Sequence, residues 1–160
     1  MSVTVGADAR RRIEDLIGAC AHCIDDDRLE DWPGFFADDA RYLLTTRENF
    51  DAGLPAGIML CTSRAMMHDR IAALRGANVF EPHVYCHLIS APRIEAGRDG
   101  GYDVQTRFAV VRTMQDGKMD VFACGRLLDH VVLDGDAALF KSRIVVCDSR
   151  RIDTLIVIPI

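Results

Sequence analysis

The sequence predicts an α+β fold in which a curved, mixed but mainly antiparallel sheet wraps around helices segregated at the N-terminal end, giving a cone shape. Three observations predict it. Residues 7–26 place Ile13, Leu16, Ile17, Cys20 and Ile24 at spacings of three and four, one face of an amphipathic helix. The second half of the chain holds four long β-prone runs, 84–94, 102–114, 119–133 and 137–147. Two of the breaks between them are Asp116-Gly117 and Asp134-Gly135, the dipeptide that favours tight hairpins.

The elements follow in order. The first helix carries Arg11, Arg12, Glu14 and Asp15 on its wet face, and the run Asp25-Asp26-Asp27 stops it. A short second helix is predicted next, with Leu29, Trp32 and Phe36 on one side, Pro33 tolerated in its first turn and Phe35-Phe36 at its end. Residues 41–46 read as a strand, and 49–57, with two glycines and a proline, as a loop. Ser63 is placed to cap a third helix with a buried stripe of Met66, Met67, Ile71 and Leu74, ended by Gly76 or Asn78. Within 102–114, Tyr102, Val104, Thr106, Phe108 and Val110 alternate with Asp103, Gln105 and Arg107, so one face of that strand is predicted buried.

Size and charge bound the function. The 160 residues, 49% apolar and 27% charged, suit one domain over residues 1–160. A net charge of -5 and a pI near 5.5 provide no basic field for nucleic acid or anionic membrane. The chain has no apolar run of membrane-spanning length and no basic, apolar leader at its start, so a soluble, cytoplasmic protein is expected. The six cysteines are then expected as reduced thiols, with burial as their default role.

Local chemistry is thin. Cys20-Ala21-His22-Cys23 contains CxxC and CxH, but a Rieske cluster needs a second loop with CxxH, which this sequence lacks. Cys20 also belongs to the apolar stripe of the first helix while His22 points elsewhere, so structural thiols are the expectation. His83 and His87 lie in a β-prone run, where four residues separate side chains by about 13 Å, too far for one ion. His68-Asp69 reads as helix surface, and GxSxG, P-loop and GxGxxG motifs are absent. Asp39, Tyr42, Tyr85 and His87 are the candidates for acid-base work in a cone pocket. They support an alternative in which the chain is a free-standing isomerase or dehydratase using a buried Asp, His or Tyr.

Four stretches carry a family resemblance: Asp26-Asp27-Arg28-Leu29-Glu30-Asp31-Trp32-Pro33 with Phe36 and Asp39; Arg70-Ile71-Ala72-Ala73-Leu74-Arg75; His83-Val84-Tyr85-Cys86-His87-Leu88-Ile89; and Cys147-Asp148-Ser149 running into Asp153-Thr154-Leu155 and Pro159. Over nearly the whole chain they resemble the small (beta) subunit of bacterial aromatic-ring-hydroxylating dioxygenases, whose cone fold is of the nuclear transport factor 2 and ketosteroid isomerase type. Residues 49–58 and 77–81 look most like the terephthalate, salicylate and anthranilate branch of that family. The resemblance implies a structural subunit with no catalytic, cofactor-binding or metal residue of its own. The Rieske [2Fe-2S] cluster and mononuclear Fe(II) are then expected in a partner large (alpha) subunit within an α3β3 hexamer fed with electrons from NADH. Contacts between beta subunits are also implied, with a homotrimer as one state of the lone chain.

The C-terminal run is the expected subunit interface. Leu155, Ile156, Ile158 and Ile160 would expose apolar surface unless covered, and Arg150, Arg151 and Asp153 would form a polar rim. The competing expectation is that this tail completes the chain's own sheet or core.

Overall fold

Helix α1 spans Ala7–Asp25 in the computed structural model, which describes residues 4–55, 57–77, 80–152 and 156–160. Its inward stripe, Ile13, Leu16, Ile17, Cys20, Cys23 and Ile24, is buried against the sheet, and Arg10–Glu14 and Arg11–Asp15 pairs lie on the solvent side. The helix ends in a Schellman turn. The Arg28 amide donates to the Cys23 carbonyl and the Asp27 amide to that of Ile24, with Asp27 at φ 56° in the left-handed place where glycine is usual.

The predicted second helix is only a 3-10 turn, Trp32–Phe35, because Pro33 and Gly34 leave too few helix formers to continue it. Strand β1 therefore begins earlier than expected, at Phe36, and runs to Thr46. Its start is irregular: pairing with the last strand jumps from Phe36 to Arg41, and Asp38 and Asp39 sit exposed in the strand. The stretch predicted as a loop opens with a short helix, α2 (Arg47–Asp51), capped by the Thr46 hydroxyl accepting from the Asn49 amide. Strand β2 (Met59–Cys61) follows, and then α3 (Arg64–Gly76), capped by Ser63 as expected. Met67, Ile71 and Leu74 are buried on α3, but Met66 is exposed and accepts from the Thr62 hydroxyl instead. The helix ends at Gly76; Asn78 lies outside the described residues.

The first β-prone run divides in two, β3 (His83–Ile89) and β4 (Arg93–Ala96), since Pro92 cannot donate to a ladder. Both lie along the same edge of β5 (Tyr102–Met114). Ser90 bridges the gap, its amide donating to the Arg107 carbonyl and its hydroxyl accepting from the Arg107 amide. Strands β6 (Met119–Asp134) and β7 (Ala137–Cys147) complete the meander through the two Asp-Gly turns, with Gly117 and Gly135 at positive φ.

The strand order is β2-β1-β7-β6-β5-β3, with β4 off that path on β5. Among the described residues only β1 and β7 pair in parallel, so the sheet is mixed and mainly antiparallel. Irregularities at Val110/Val111 and His130/Val131 bend the long strands so that the sheet curves around α1 and the 3-10 turn. Under that curve Trp32, Phe36, Tyr42 and Phe140 form the aromatic centre of the core, with Trp32–Tyr42 edge to face at 5.1 Å and Phe36–Phe140 tilted at 5.3 Å.

Candidate functional site

The residues singled out for chemistry do not converge. Asp39 stands on the outside of β1 beside Lys141, whose ammonium holds its carboxyl below the usual carboxylate range. Tyr42 is fully buried, and its hydroxyl donates to the Ile160 carbonyl at 3.0 Å while accepting from the Ile160 amide at 3.1 Å. These two bonds pin the C-terminus. Ile156, Val157, Ile158 and Ile160 are 8% exposed or less within the chain itself, so these four side chains belong to this chain's own core. Arg150 and Arg151 remain exposed, Arg150 3.5 Å from Glu48; Asp153 and Leu155 lie outside the described residues.

Beneath β6 and β7 lies a buried ion pair that sequence reading missed. Asp129 and Arg143 face each other across β6 and β7, and the carboxylate accepts from Nε and an Nη, each at 2.8 Å, with both side chains almost inaccessible. The guanidinium also lies 4.1 Å from the Phe140 ring centroid and 3.7 Å from the Cys20 Sγ. Burial alone would lower the Arg143 pKa, but Asp129 outweighs it and the group stays charged. Burial pushes the Cys20 thiol up to about 12, so it is an unreactive core group. Cys23, also buried, donates its S–H to the Arg28 carbonyl. The CAHC segment is thus helix packing. Among the described residues no group of three or more His, Cys, Asp or Glu is placed to hold a metal, and a Rieske cluster or mononuclear iron has no fitting ligand set there. Two thiols depart from the expected burial: Cys86 and Cys124 are exposed.

Tyr85 and His87 do come together, on the inward side of β3, with rings 6.2 Å apart. The partner of His87 is Asp25, the last residue of α1. Its Oδ2 accepts from the His87 amide at 2.8 Å and its Oδ1 lies 2.6 Å from His87 Nδ1. The imidazole is 3% exposed and its Nε2 has no hydrogen-bond partner. A cavity of about 290 Å³ opens beside the pair, lined by Asp25, Tyr85, His83, Arg75, Phe80 and Ile158 among others. A carboxylate-oriented imidazole is the usual form of a general base, so this pair is the chemically competent feature of the interior. Its structural work is also plain: Asp25 caps a free amide of the edge strand and ties α1 to β3. Asp25 was readable only as the first of three acidic residues ending a helix, since the 62 positions separating it from His87 conceal the contact.

The comparisons with known proteins agree with one another. The family model described as "Ring hydroxylating beta subunit" matches residues 20–154. The small subunit of anthranilate 1,2-dioxygenase from Burkholderia cepacia is 41% identical over 137 residues, covering 86% of this chain and 85% of that protein. The beta 2 subunit of the terminal oxygenase component of terephthalate 1,2-dioxygenase from a Comamonas species is 43% identical over 143 residues, covering 89% and 92%. Among solved structures, a beta subunit assigned to an aromatic-ring-hydroxylating dioxygenase of Novosphingobium aromaticivorans superposes with a TM-score of 0.86 at 39% identity, covering 95% and 97% of the two chains. A scytalone dehydratase homologue from the same organism matches at a TM-score of 0.66 and 15% identity, a likeness of cone fold alone.

Proposed function

This chain belongs to the ring hydroxylating beta subunit family, and from that premise we propose that it is the non-catalytic structural subunit of the terminal oxygenase of a Rieske non-haem iron aromatic-ring-hydroxylating dioxygenase. The large subunit carries the Rieske cluster and the mononuclear iron, and the two chains assemble as an α3β3 hexamer in the cytoplasm, with contacts between beta subunits. The named relatives act on anthranilate and terephthalate, so the ring attacked is an aromatic carboxylate.

The observation that carries this reading is the close packing beneath β6 and β7. There the Asp129–Arg143 pair and the aromatic cluster around Trp32 and Tyr42 are buried and leave no room for a substrate. What the chain supplies is a rigid, preformed surface. Hydroxylation of anthranilate or terephthalate should require the large subunit, and this chain alone should turn over neither. The Asp25–His87 pair beside its cavity favours one second reading, a free-standing isomerase or dehydratase. Turnover of a small cyclic substrate by the lone chain, abolished by His87→Gln, would establish that reading instead.

A further inference from the structure

The cavity of about 290 Å³ between the end of α1, the end of α3 and β3 has a floor and a rim of different character. Ile24, Leu74, Tyr85 and Ile158 make the floor, each 8% exposed or less. Asp27, Arg75 and Pro82 stand at the rim and are exposed, so a small molecule has a path in. Along one wall Phe80 and His83 meet edge to face at 5.7 Å, and His83 lies tilted against Tyr85 at 5.2 Å, which sets three rings in a row. An apolar floor and an aromatic wall around a volume at the low end for small-molecule pockets suit one aromatic ring.

The charged and imidazole groups of the wall decide what that ring carries. Every nitrogen of the Arg75 guanidinium is already engaged: Nε and one Nη donate to Glu30, and the two Nη atoms donate to the carboxylate and carbonyl of Asp27. Asp25, Asp27 and Glu30 also outnumber this one cation, so an aromatic carboxylate would find no free donor and a repulsive field. An ammonium fares no better, because each oxygen of Asp25 and Asp27 already accepts from His87 or Arg75, and a charge leaving water needs a partner of its own. His83 remains. Its Nδ1 lies 2.7 Å from the Glu81 carbonyl, and a carbonyl only accepts, so Nδ1 carries the proton. When neutral the imidazole then presents a lone pair at Nε2, an acceptor with no partner among the described residues.

We propose that this cavity binds a neutral phenol, its ring held against Phe80, His83 and Tyr85 and its hydroxyl donating to His83 Nε2. The site is one of binding and not of turnover, since Asp25 reaches the wall and His87, the imidazole it orients, does not. It belongs to this chain alone and adds a ligand to the structural role without depending on the large subunit.

The test uses the full chain at pH 8, following its NMR signals and melting temperature as p-cresol, its methyl ether, p-toluate or benzylammonium is added. Saturable p-cresol binding should raise the melting temperature and move the signals of Phe80, His83 and Ile158. The ether, which lacks the donor, and the two ions should bind at least tenfold more weakly. His83→Phe keeps a ring in the wall and removes the acceptor, so it should bind p-cresol and the ether alike. The comparison of p-cresol with its ether on the wild type needs no variant and stands even where the substituted chain folds poorly. Equal binding of p-cresol and its ether by the wild type, or tighter binding of p-toluate or benzylammonium, would overturn the ligand class. Absence of saturable p-cresol binding, signals moving elsewhere in the chain, or a folded His83→Phe variant that still prefers p-cresol to its ether would overturn the site.

Discussion

Replacing Ile160 by alanine asks whether the C-terminal tail is a core element of this chain or an assembly element. Ile160 is 1% exposed, packs in the main cluster with Tyr42, and gives both its amide and its carbonyl to the Tyr42 hydroxyl. Truncating a fully buried isoleucine removes its transfer free energy and leaves a cavity, together costing about 2–5 kcal/mol. That is a large part of a native stability of roughly 5–15 kcal/mol. For a chain of this size each kcal/mol moves the melting temperature by roughly 2–4 °C, so a drop of about 4–20 °C is expected. The assay is urea unfolding and calorimetry of the isolated chain, where the midpoint should fall with the m-value unchanged. A variant as stable as wild type when alone, yet poorer in assembly with the large subunit, would refute the placement of the tail in this chain's own core.

Other outcomes follow from the same packing. Asp129→Ala should destabilise the chain by about 3–5 kcal/mol, because it strands a buried guanidinium. The double replacement Asp129→Leu with Arg143→Met should recover most of that loss in the same unfolding assay. With a thiol reagent at pH 8, mass spectrometry should find two fast labels on the folded chain, Cys86 and Cys124, and six in urea. Burial pushes the Cys20 and Cys147 thiols up to about 12, which keeps them protonated and slow, so rapid labelling of either would contradict their placement.

Much of the architecture was readable because it is periodic. The stripe on α1, the alternation in β5 and the two Asp-Gly hairpins each repeat a spacing that only one local geometry satisfies. What escaped reading lies where that periodicity is interrupted. The irregular pairing after Phe36 hides five residues of β1, and Pro92 divides one β-prone run into two strands. The 3-10 turn is too short to show a helical period, as is α2. The site was less legible still, since its contacts are long-range. Asp129 and Arg143 meet only through strand register, and Asp25 reaches His87 only because α1 ends against the edge strand. The tail reads as exposed apolar surface because no spacing announces that the Tyr42 hydroxyl awaits its last residue. The family resemblance was carried by whole stretches of sequence and needed none of these contacts.

The most direct test of the central claim is the stoichiometry of iron in the purified proteins. Native mass spectrometry with elemental analysis, on this chain alone and on its complex with the large subunit, should find the lone chain free of iron. The complex should contain both chains in equal numbers, with three iron atoms per pair, two in the cluster and one at the mononuclear centre. Stoichiometric iron bound to the lone chain, or catalytic hydroxylation by it without the large subunit, would contradict the account.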